Sequence, residues 1–197
     1  MNHLSSTRSV LLSLLLGCLA LACDSADSGT EPADGPRDAY PTANQGTDVG
    51  ESIADLTFIT PDEGEFKLSD IFFEESNKVL MLVTSAEWCT ACYEHQADME
   101  ALYNRYREQG FTMLEAVLQQ NDGTDATATT AKKWVRDTEV TFPVVADPTP
   151  VLEPYFEGGD IMAMPLVILV RVQNMEILYK AGAYQESELT AIIESML

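Results

Sequence analysis

Two cysteines, Cys89 and Cys92, carry the clearest chemical signal in the sequence. They follow the apolar run 79–83, which predicts a buried strand, and they open a segment that is predicted to be helical. A thiol at a helix N-terminus faces free N–H groups and the positive end of the helix dipole, and both favour the thiolate over the thiol. A Cys-x-x-Cys pair at a strand-to-helix junction therefore predicts thiol redox chemistry.

Because a Cys-x-x-Cys pair also forms half of many structural zinc sites, metal binding is the first alternative. A tetrahedral zinc site needs further Cys or His ligands. The other cysteines are Cys18 and Cys23 near the N-terminus, and the histidines are His3 and His95. These residues cannot complete a four-ligand set, so the sequence predicts no structural metal, and it contains no motif for a cofactor.

The strongly acidic composition excludes one class of partner. The chain has 197 residues and a formal net charge of −21. Binding to nucleic acid needs a basic surface that neutralises phosphates, and an acidic surface would repel the backbone. The sequence therefore predicts no nucleic-acid partner, and the acidity is that of a solvated surface.

Residues 1–22 have the features of an export signal. Arg8 precedes the apolar stretch 10–22, which is too short for a stable membrane span and ends in small residues before a cysteine. This segment resembles a bacterial lipoprotein signal, in which the cysteine becomes the acylated first residue of the mature protein. Cys23 is preferred as the acylated residue, because acylation of Cys18 would leave Cys23 as a stray thiol in an oxidising compartment. Acylation of Cys18, or a cleaved secretory signal without lipid, are the alternatives.

The chain then changes composition twice. Residues 23–48 are rich in Asp, Ser, Gly, Pro and Thr and have almost no aliphatic side chains, so they predict a disordered acidic tether. Residues 49–197 alternate strand and helix patterns and are predicted to form one domain. Its strands are expected at 55–60, 66–70, 78–84, 111–118, 142–146, 166–172 and 176–180, and its helices at 90–108, 125–138 and 186–196. This order predicts an α/β fold with a central mixed sheet flanked by helices.

The order of elements, the Trp88-Cys89-x-x-Cys92 motif and the dipeptide Met164-Pro165 together resemble the thioredoxin-like fold. The N-terminal hairpin, and an additional helix before the stretch 142–147, are similar to extracytoplasmic redoxins of the TlpA/ResA type, which share their organisation with the AhpC/TSA superfamily. The resemblance covers residues 49–197. It implies a thioredoxin-like domain with an N-terminal hairpin and an inserted helix.

The resemblance also implies roles for individual residues. Cys89 matches the nucleophile that attacks a partner disulfide, and Cys92 matches the resolving thiol that releases the partner. Pro165 matches a cis-proline that faces the disulfide and leaves backbone groups free to pair with an extended substrate. Trp88 and Met164 are then expected to lie on the side that faces the substrate.

Several positions depart from the family pattern. Thioredoxins carry a buried aspartate six residues before the first cysteine, where this chain has Val83. Where TlpA/ResA proteins usually have a glutamate and a helix-kinking proline, this chain has His95 and Ala97. His95 is therefore either a replacement proton acceptor for Cys92 or a helix histidine without a chemical role. Family members usually have a basic residue directly after the second cysteine, where this chain has Tyr93. The resemblance therefore does not fix the redox potential of the cysteine pair.

These features predict a thiol–disulfide oxidoreductase that is exported to the cell envelope, anchored in the membrane by lipid, and acts on protein thiols and disulfides. A thiol peroxidase or antioxidant of the AhpC/TSA kind is one alternative, although no Pro-x-x-x-Thr/Ser-x-x-Cys loop surrounds either cysteine. A Cu(I)-handling protein of the Sco type is another, since two thiolates can bind Cu(I). The last alternative is a redoxin-like structural domain whose disulfide is passive, that is, does not exchange with partners.

Overall fold

A computed structural model describes residues 36–159 and 163–197 of the chain. The predicted signal segment lies outside the described residues, and Cys18 and Cys23 lie there with it. None of the helices in the described part is both long enough and apolar enough to span a bilayer.

Seven strands and five α-helices are formed by the described residues. The strands are β1 (Thr57–Ile59), β2 (Glu65–Lys67), β3 (Val79–Ala86), β4 (Phe111–Gln119), β5 (Val144–Ala146), β6 (Val167–Arg171) and β7 (Glu176–Ala181). The helices are α1 (Leu68–Phe72), α2 (Thr90–Glu94), α3 (Gln96–Tyr106), α4 (Ala128–Thr138) and α5 (Glu186–Met196).

The strands form one mixed sheet in the order β2-β1-β5-β4-β3-β6-β7. Strands β3, β4 and β5 are parallel neighbours, and the pairs at both sides of this central group are antiparallel. Strands β1 and β2 form the expected N-terminal hairpin, and α4 is the expected helix between β4 and β5. The α/β fold with a central mixed sheet, predicted from the sequence, is confirmed.

Strand β3 lies inside the sheet, between β4 and β6, and leads directly to the cysteine pair. All eight of its residues are buried, and it pairs with β4 on one side and β6 on the other. A strand that is covered on both faces needs apolar side chains in succession rather than in alternation, and the run 79–83 provides them. Cys89 therefore follows directly on a strand that is buried along its whole length.

The helix predicted at 90–108 is two helices in the structure. Helix α2 ends at Glu94 and α3 begins at Gln96, with His95 between them at φ −94° and ψ −3°. These angles lie in the bridge region between helix and strand conformations, so the break occurs although the chain lacks the proline of the family. The break makes Gln96, which is buried, the first residue of α3.

The segment that precedes Val49 is in contact with the domain from Arg37 onward. The Arg37 guanidinium donates to the backbone oxygens of four residues at the end of α1 and in the loop before β3, at 2.6–3.0 Å: Phe72, Glu74, Glu75 and Asn77. The Tyr40 hydroxyl donates to the backbone oxygens of Ile53 and Ala54. The folded part therefore starts earlier than the composition of residues 23–48 predicts.

Candidate active site

Cys89 and Cys92 form a disulfide at the start of α2, with their Cα atoms 5.3 Å apart. Cys89 is the N-cap residue of α2, and its Sγ accepts a hydrogen bond from the Cys92 backbone N–H at 3.1 Å. Cys89 is 5 % exposed and Cys92 is 1 % exposed. When the disulfide is reduced, the same N–H is positioned to stabilise a negative charge on the Cys89 sulfur.

An irregularity in the pairing of β3 with β4 shapes the approach to Cys89. Ser85 pairs with Val117, whereas Ala86 pairs with Gln119, so β4 has one extra residue at this point. Such a bulge redirects side chains at the end of a strand. Here the Gln119 backbone oxygen accepts from the Glu87 N–H at 3.0 Å, and the Gln119 side-chain oxygen accepts from Trp88 Nε1 at 2.9 Å.

The bulge thus fixes Trp88, which is half-buried next to Cys89. Glu87 is fixed at the same place, because its carboxylate accepts from Lys133 Nζ at 2.7 Å and from the Asn121 N–H at 3.0 Å. The hydrogen bond to Glu87 raises the pKa of Lys133. The two residues before Cys89 are therefore held by partners on β4, the loop after it and α4.

The Met164–Pro165 peptide bond is cis, and Met164 is buried. The residue that follows is tied to β3, since the Leu166 N–H donates to Thr84 Oγ1 and the Thr84 N–H donates to the Leu166 oxygen, each at 2.9 Å. This pair of bonds places Pro165 beside the end of β3 that leads to Cys89. The role of Pro165 in holding a substrate stays a prediction.

His95 is half-buried at the junction of α2 and α3, and its ring packs on the ring of Tyr184 with centroids 5.0 Å apart. The backbone oxygen of His95 accepts from the Met99 N–H at 2.9 Å, in the first turn of α3. Its expected role as proton acceptor for Cys92 stays a prediction.

A buried carboxylate that the sequence analysis did not single out lies beneath the cysteine pair. Glu115 in β4 has no exposed surface. Its Oε1 accepts from the Ser85 hydroxyl and, at 2.8 Å, from Gln96 Nε2, while its Oε2 accepts from Trp134 Nε1 at 2.9 Å. Gln96 Nε2 also donates to the Cys92 backbone oxygen at 3.0 Å. One amide group therefore connects the carboxyl of Glu115 to the backbone of Cys92.

Burial raises the pKa of Glu115, and the three donated hydrogen bonds offset only part of that effect because they stabilise the charged form. A neighbouring ring is affected as well, since burial raises the pKa of Tyr93, whose ring packs on Trp134 with centroids 4.3 Å apart. The region under the cysteines is thus a low-dielectric environment in which adding negative charge is costly.

One signal in the sequence points to Glu115. It is the only charged residue in the stretch 111–118, which was predicted as a strand of mostly apolar residues. A carboxyl in a covered strand must find donors, because an unpaired buried charge costs several kcal/mol. The donors lie on three other elements, β3, α3 and α4, and the sequence does not identify them.

The described residues contain no group of three or more His, Cys, Asp or Glu side chains arranged to hold a metal ion. Three features that could take part in chemistry lie next to β3: the Cys89–Cys92 disulfide, the cis-proline Pro165 and the buried carboxyl group of Glu115.

Comparison with known proteins places this arrangement in a family. The model of the AhpC/TSA family matches residues 49–157, which is more than half of the chain. The chain belongs to the AhpC/TSA family. The matched residues of this AhpC/TSA family member run from the segment before the N-terminal hairpin through the cysteine pair, Glu115 and α4. None of the curated proteins with which the sequence was compared matches it.

Several solved structures similar to this AhpC/TSA family member are named as thiol–disulfide or disulfide oxidoreductases. One from Bacteroides fragilis is 21 % identical with a TM-score of 0.59, covering 75 % of this chain and 100 % of that chain. The thioredoxin domain of one from Bacteroides vulgatus is 19 % identical with a TM-score of 0.59, covering 76 % and 98 %. A secreted disulfide oxidoreductase of Mycobacterium tuberculosis is 14 % identical with a TM-score of 0.53, covering 72 % and 96 %. At these identities the likeness shows the thioredoxin-like fold.

Proposed function

We propose that this protein is a thiol–disulfide oxidoreductase that exchanges disulfides with protein partners through Cys89 and Cys92. In the reducing direction, the Cys89 thiolate attacks a partner disulfide and forms a mixed disulfide, and one partner sulfur leaves as a thiolate. Cys92 then attacks Cys89 Sγ, the mixed disulfide breaks, and the second partner sulfur leaves. The partner is reduced by two electrons and the cysteine pair is oxidised to the observed disulfide.

The observation that carries this proposal is the hydrogen bond from the Cys92 N–H to Cys89 Sγ at the N-cap of α2. A backbone donor aimed at one sulfur distinguishes the two cysteines, since it stabilises a thiolate at Cys89 and not at Cys92. A passive structural disulfide has no need of such a distinction. The greater exposure of Cys89 agrees with its role as the sulfur that meets a partner.

The location of this activity is also part of the proposal. The export-type residues 1–22 support transfer across the cytoplasmic membrane, and a lipid on Cys23, or on Cys18, would hold the domain at the cell envelope. A neighbour named as a secreted disulfide oxidoreductase supports the same compartment. Mass spectrometry of the mature N-terminus tests it, and an unmodified N-terminus in the soluble fraction would contradict the anchor.

Trapping of partners with single-cysteine variants tests the activity. Cys92→Ser retains the nucleophile and should accumulate mixed disulfides with a model disulfide such as insulin, whereas the matched variant Cys89→Ser should form almost none. Both variants should lose catalytic reduction of insulin by dithiothreitol. Equal trapping by both variants would contradict the assignment of the nucleophile.

Two alternative functions give different results with the same wild-type protein. A peroxidase would consume hydrogen peroxide in a thiol-dependent way and would leave insulin oxidised. A Cu(I)-handling protein would bind one equivalent of Cu(I) through the reduced pair and would turn over neither substrate.

A further inference from the structure

The buried carboxyl of Glu115 is the feature of the site that the disulfide-exchange steps themselves do not use. An ionisable side chain without exposed surface, placed on the middle strand of the sheet, costs free energy that an apolar residue at this position would avoid. The three donors around it lie on β3, α3 and α4: Ser85, Gln96 and Trp134. We therefore ask which other residues these three donors contact.

The contact that leads to the chemistry is the one with Gln96. Its Nε2 group carries two hydrogens, one of which is donated to Glu115 Oε1 at 2.8 Å and the other to the Cys92 oxygen at 3.0 Å. Gln96 is the first residue of α3, directly after the break at His95. The Gln96 amide thus joins the first turn of α2, at Cys92, to the interior of the sheet, and Glu115 fixes that amide in place.

We propose that Glu115 is a positioning residue for Cys92: through Gln96 it holds the first turn of α2 in place, and its charge opposes ionisation of the Cys92 thiol. This inference rests on the proposed disulfide exchange. It assigns to one residue the control of the second step, in which Cys92 attacks Cys89 Sγ. In that step Cys92 loses a proton, and the leaving partner sulfur takes one up, so protons and electrons balance.

The physical basis is the competition of two acids for charge in one low-dielectric region. A carboxylate at Glu115 and a thiolate at Cys92 would both be buried, and like charges there repel more strongly than in water. Two groups that interact by more than about one pK unit titrate together. Other ionisable groups also surround this region: Tyr93 from α2, His95 directly before Gln96, Glu100 from α3, Lys133 and Asp137 from α4, Glu139 after α4, and Glu87 before α2.

The decisive variants separate the charge of Glu115 from its hydrogen bonds. Glu115→Gln retains the size of the side chain and an oxygen that can accept from Gln96, but removes the charge. Gln96→Leu retains the carboxyl and removes the connection to Cys92. Asp147→Asn is the matched control, since Asp147 is also fully buried but accepts from the Val151 and Leu152 N–H groups rather than from a side chain that is bound to Cys92.

Two quantities should be measured from pH 5 to 9. The first is the rate at which a preformed mixed disulfide at Cys89 is resolved, and the second is the Cys92 thiol pKa, followed by alkylation of the reduced protein with Cys89 replaced by Ser. In Glu115→Gln the thiolate fraction of Cys92 at neutral pH should rise about tenfold, which corresponds to one pK unit. The inflection due to Glu115 should disappear from the pH profile. In Gln96→Leu, resolution should slow several-fold at every pH.

Formation of the mixed disulfide at Cys89 should be unchanged in all three variants, and Asp147→Asn should match the wild type in both quantities. If Glu115→Gln leaves both pH profiles unchanged, Glu115 is a structural acid only and the proposal is wrong. If Gln96→Leu resolves as fast as the wild type, the positioning role is wrong. Should Glu115→Gln fail to fold, judged by circular dichroism, Gln96→Leu still decides. If the wild type itself forms no mixed disulfide, the proposed disulfide exchange is wrong. The effect of Glu115→Gln on the pKa of the Cys92 thiol still tests the role of Glu115 in that case.

Discussion

Two carboxyl groups in the described part of the chain have no exposed surface, and they are held in different ways. Glu115 in β4 accepts hydrogen bonds from three side chains, whereas Asp147, directly after β5, accepts from the Val151 and Leu152 N–H groups at 3.0 and 3.1 Å. Burial raises the pKa of both carboxyl groups, and donated hydrogen bonds offset part of the rise in each case. The difference lies in what each group holds.

Asp147 determines the path of the chain. Its two oxygens satisfy the N–H groups of a loop that contains Pro148 and Pro150, and the Asp147 N–H itself donates to the Val117 oxygen at 2.9 Å. An acid that is bound by the backbone has a structural role, because the loop cannot keep its conformation without it. Glu115 accepts from side chains only, so it acts on the backbone through the side chains that it orients, as through Gln96 on the Cys92 oxygen.

The largest expected effect is on stability, in Asp147→Ala. The substitution leaves two N–H groups without an acceptor, one of them on the fully buried Leu152, and should lower the free energy of unfolding by roughly 2–4 kcal/mol. Urea denaturation monitored by tryptophan fluorescence measures it. The rate of insulin reduction per folded molecule should stay at the wild-type value. If Asp147→Ala kept the wild-type stability and lost most of the insulin-reduction rate, Asp147 would act on the cysteine pair and would not be the structural acid of the two.

A smaller effect is expected in Trp134→Phe, which removes the donor to Glu115 Oε2 and retains an aromatic ring in the core. The lost bond to a buried acid should cost about 1–2 kcal/mol and should raise the pKa of Glu115 further. Trp88→Phe is the matched control, because Trp88 donates a bond of the same 2.9 Å length to the uncharged, half-buried Gln119. It should cost less than about 1 kcal/mol. If both variants lose the same free energy of unfolding, the charge of Glu115 adds nothing to the strength of its hydrogen bond with Trp134.

The sequence predicts the parts of this site that depend on local pattern. The run 79–83 predicts a covered strand because its residues are apolar in succession, and the strand-to-helix junction then places Cys89 at a helix start. The N-terminal hairpin follows from turn residues between two short strands. These predictions succeed because each one rests on residues that are neighbours in the chain.

The parts that were not predicted depend on contacts between distant residues. Residues 23–48 have the composition of a tether, yet Arg37 is held by carbonyl oxygens about 35–40 residues away in the chain. The pattern 90–108 is helical throughout, yet the chain breaks at His95. Val83 stands where thioredoxins have a buried aspartate, and its register partner on β4 is Glu115, which only the pairing of the strands shows.

The smallest expected effect is the pH dependence of stability. A carboxyl whose pKa is raised by folding binds its proton more tightly in the folded state than in the unfolded state. The free energy of unfolding therefore falls as the pH rises from the ordinary range of a carboxyl group to the raised pKa, and it is constant outside that window. Glu115→Gln removes this component, so the stability of the variant relative to the wild type should improve as the pH rises through the window. A change of one pK unit corresponds to about 1.4 kcal/mol.

The stability of Asp147→Asn relative to the wild type should also improve as the pH rises, since the pKa of Asp147 is raised too. This variant should in addition lose a constant amount of unfolding free energy, because its hydrogen bonds to the loop are weaker. Urea denaturation at a series of pH values between 4 and 8 gives both difference curves. The two acids then differ in what accompanies the stability change: with Glu115→Gln the titration of Cys92 should move, and with Asp147→Asn it should not. A Glu115→Gln curve that is flat across the series would mean that Glu115 has the same affinity for a proton in the folded and unfolded chains, and the opposition of charges beneath Cys92 would then have no basis.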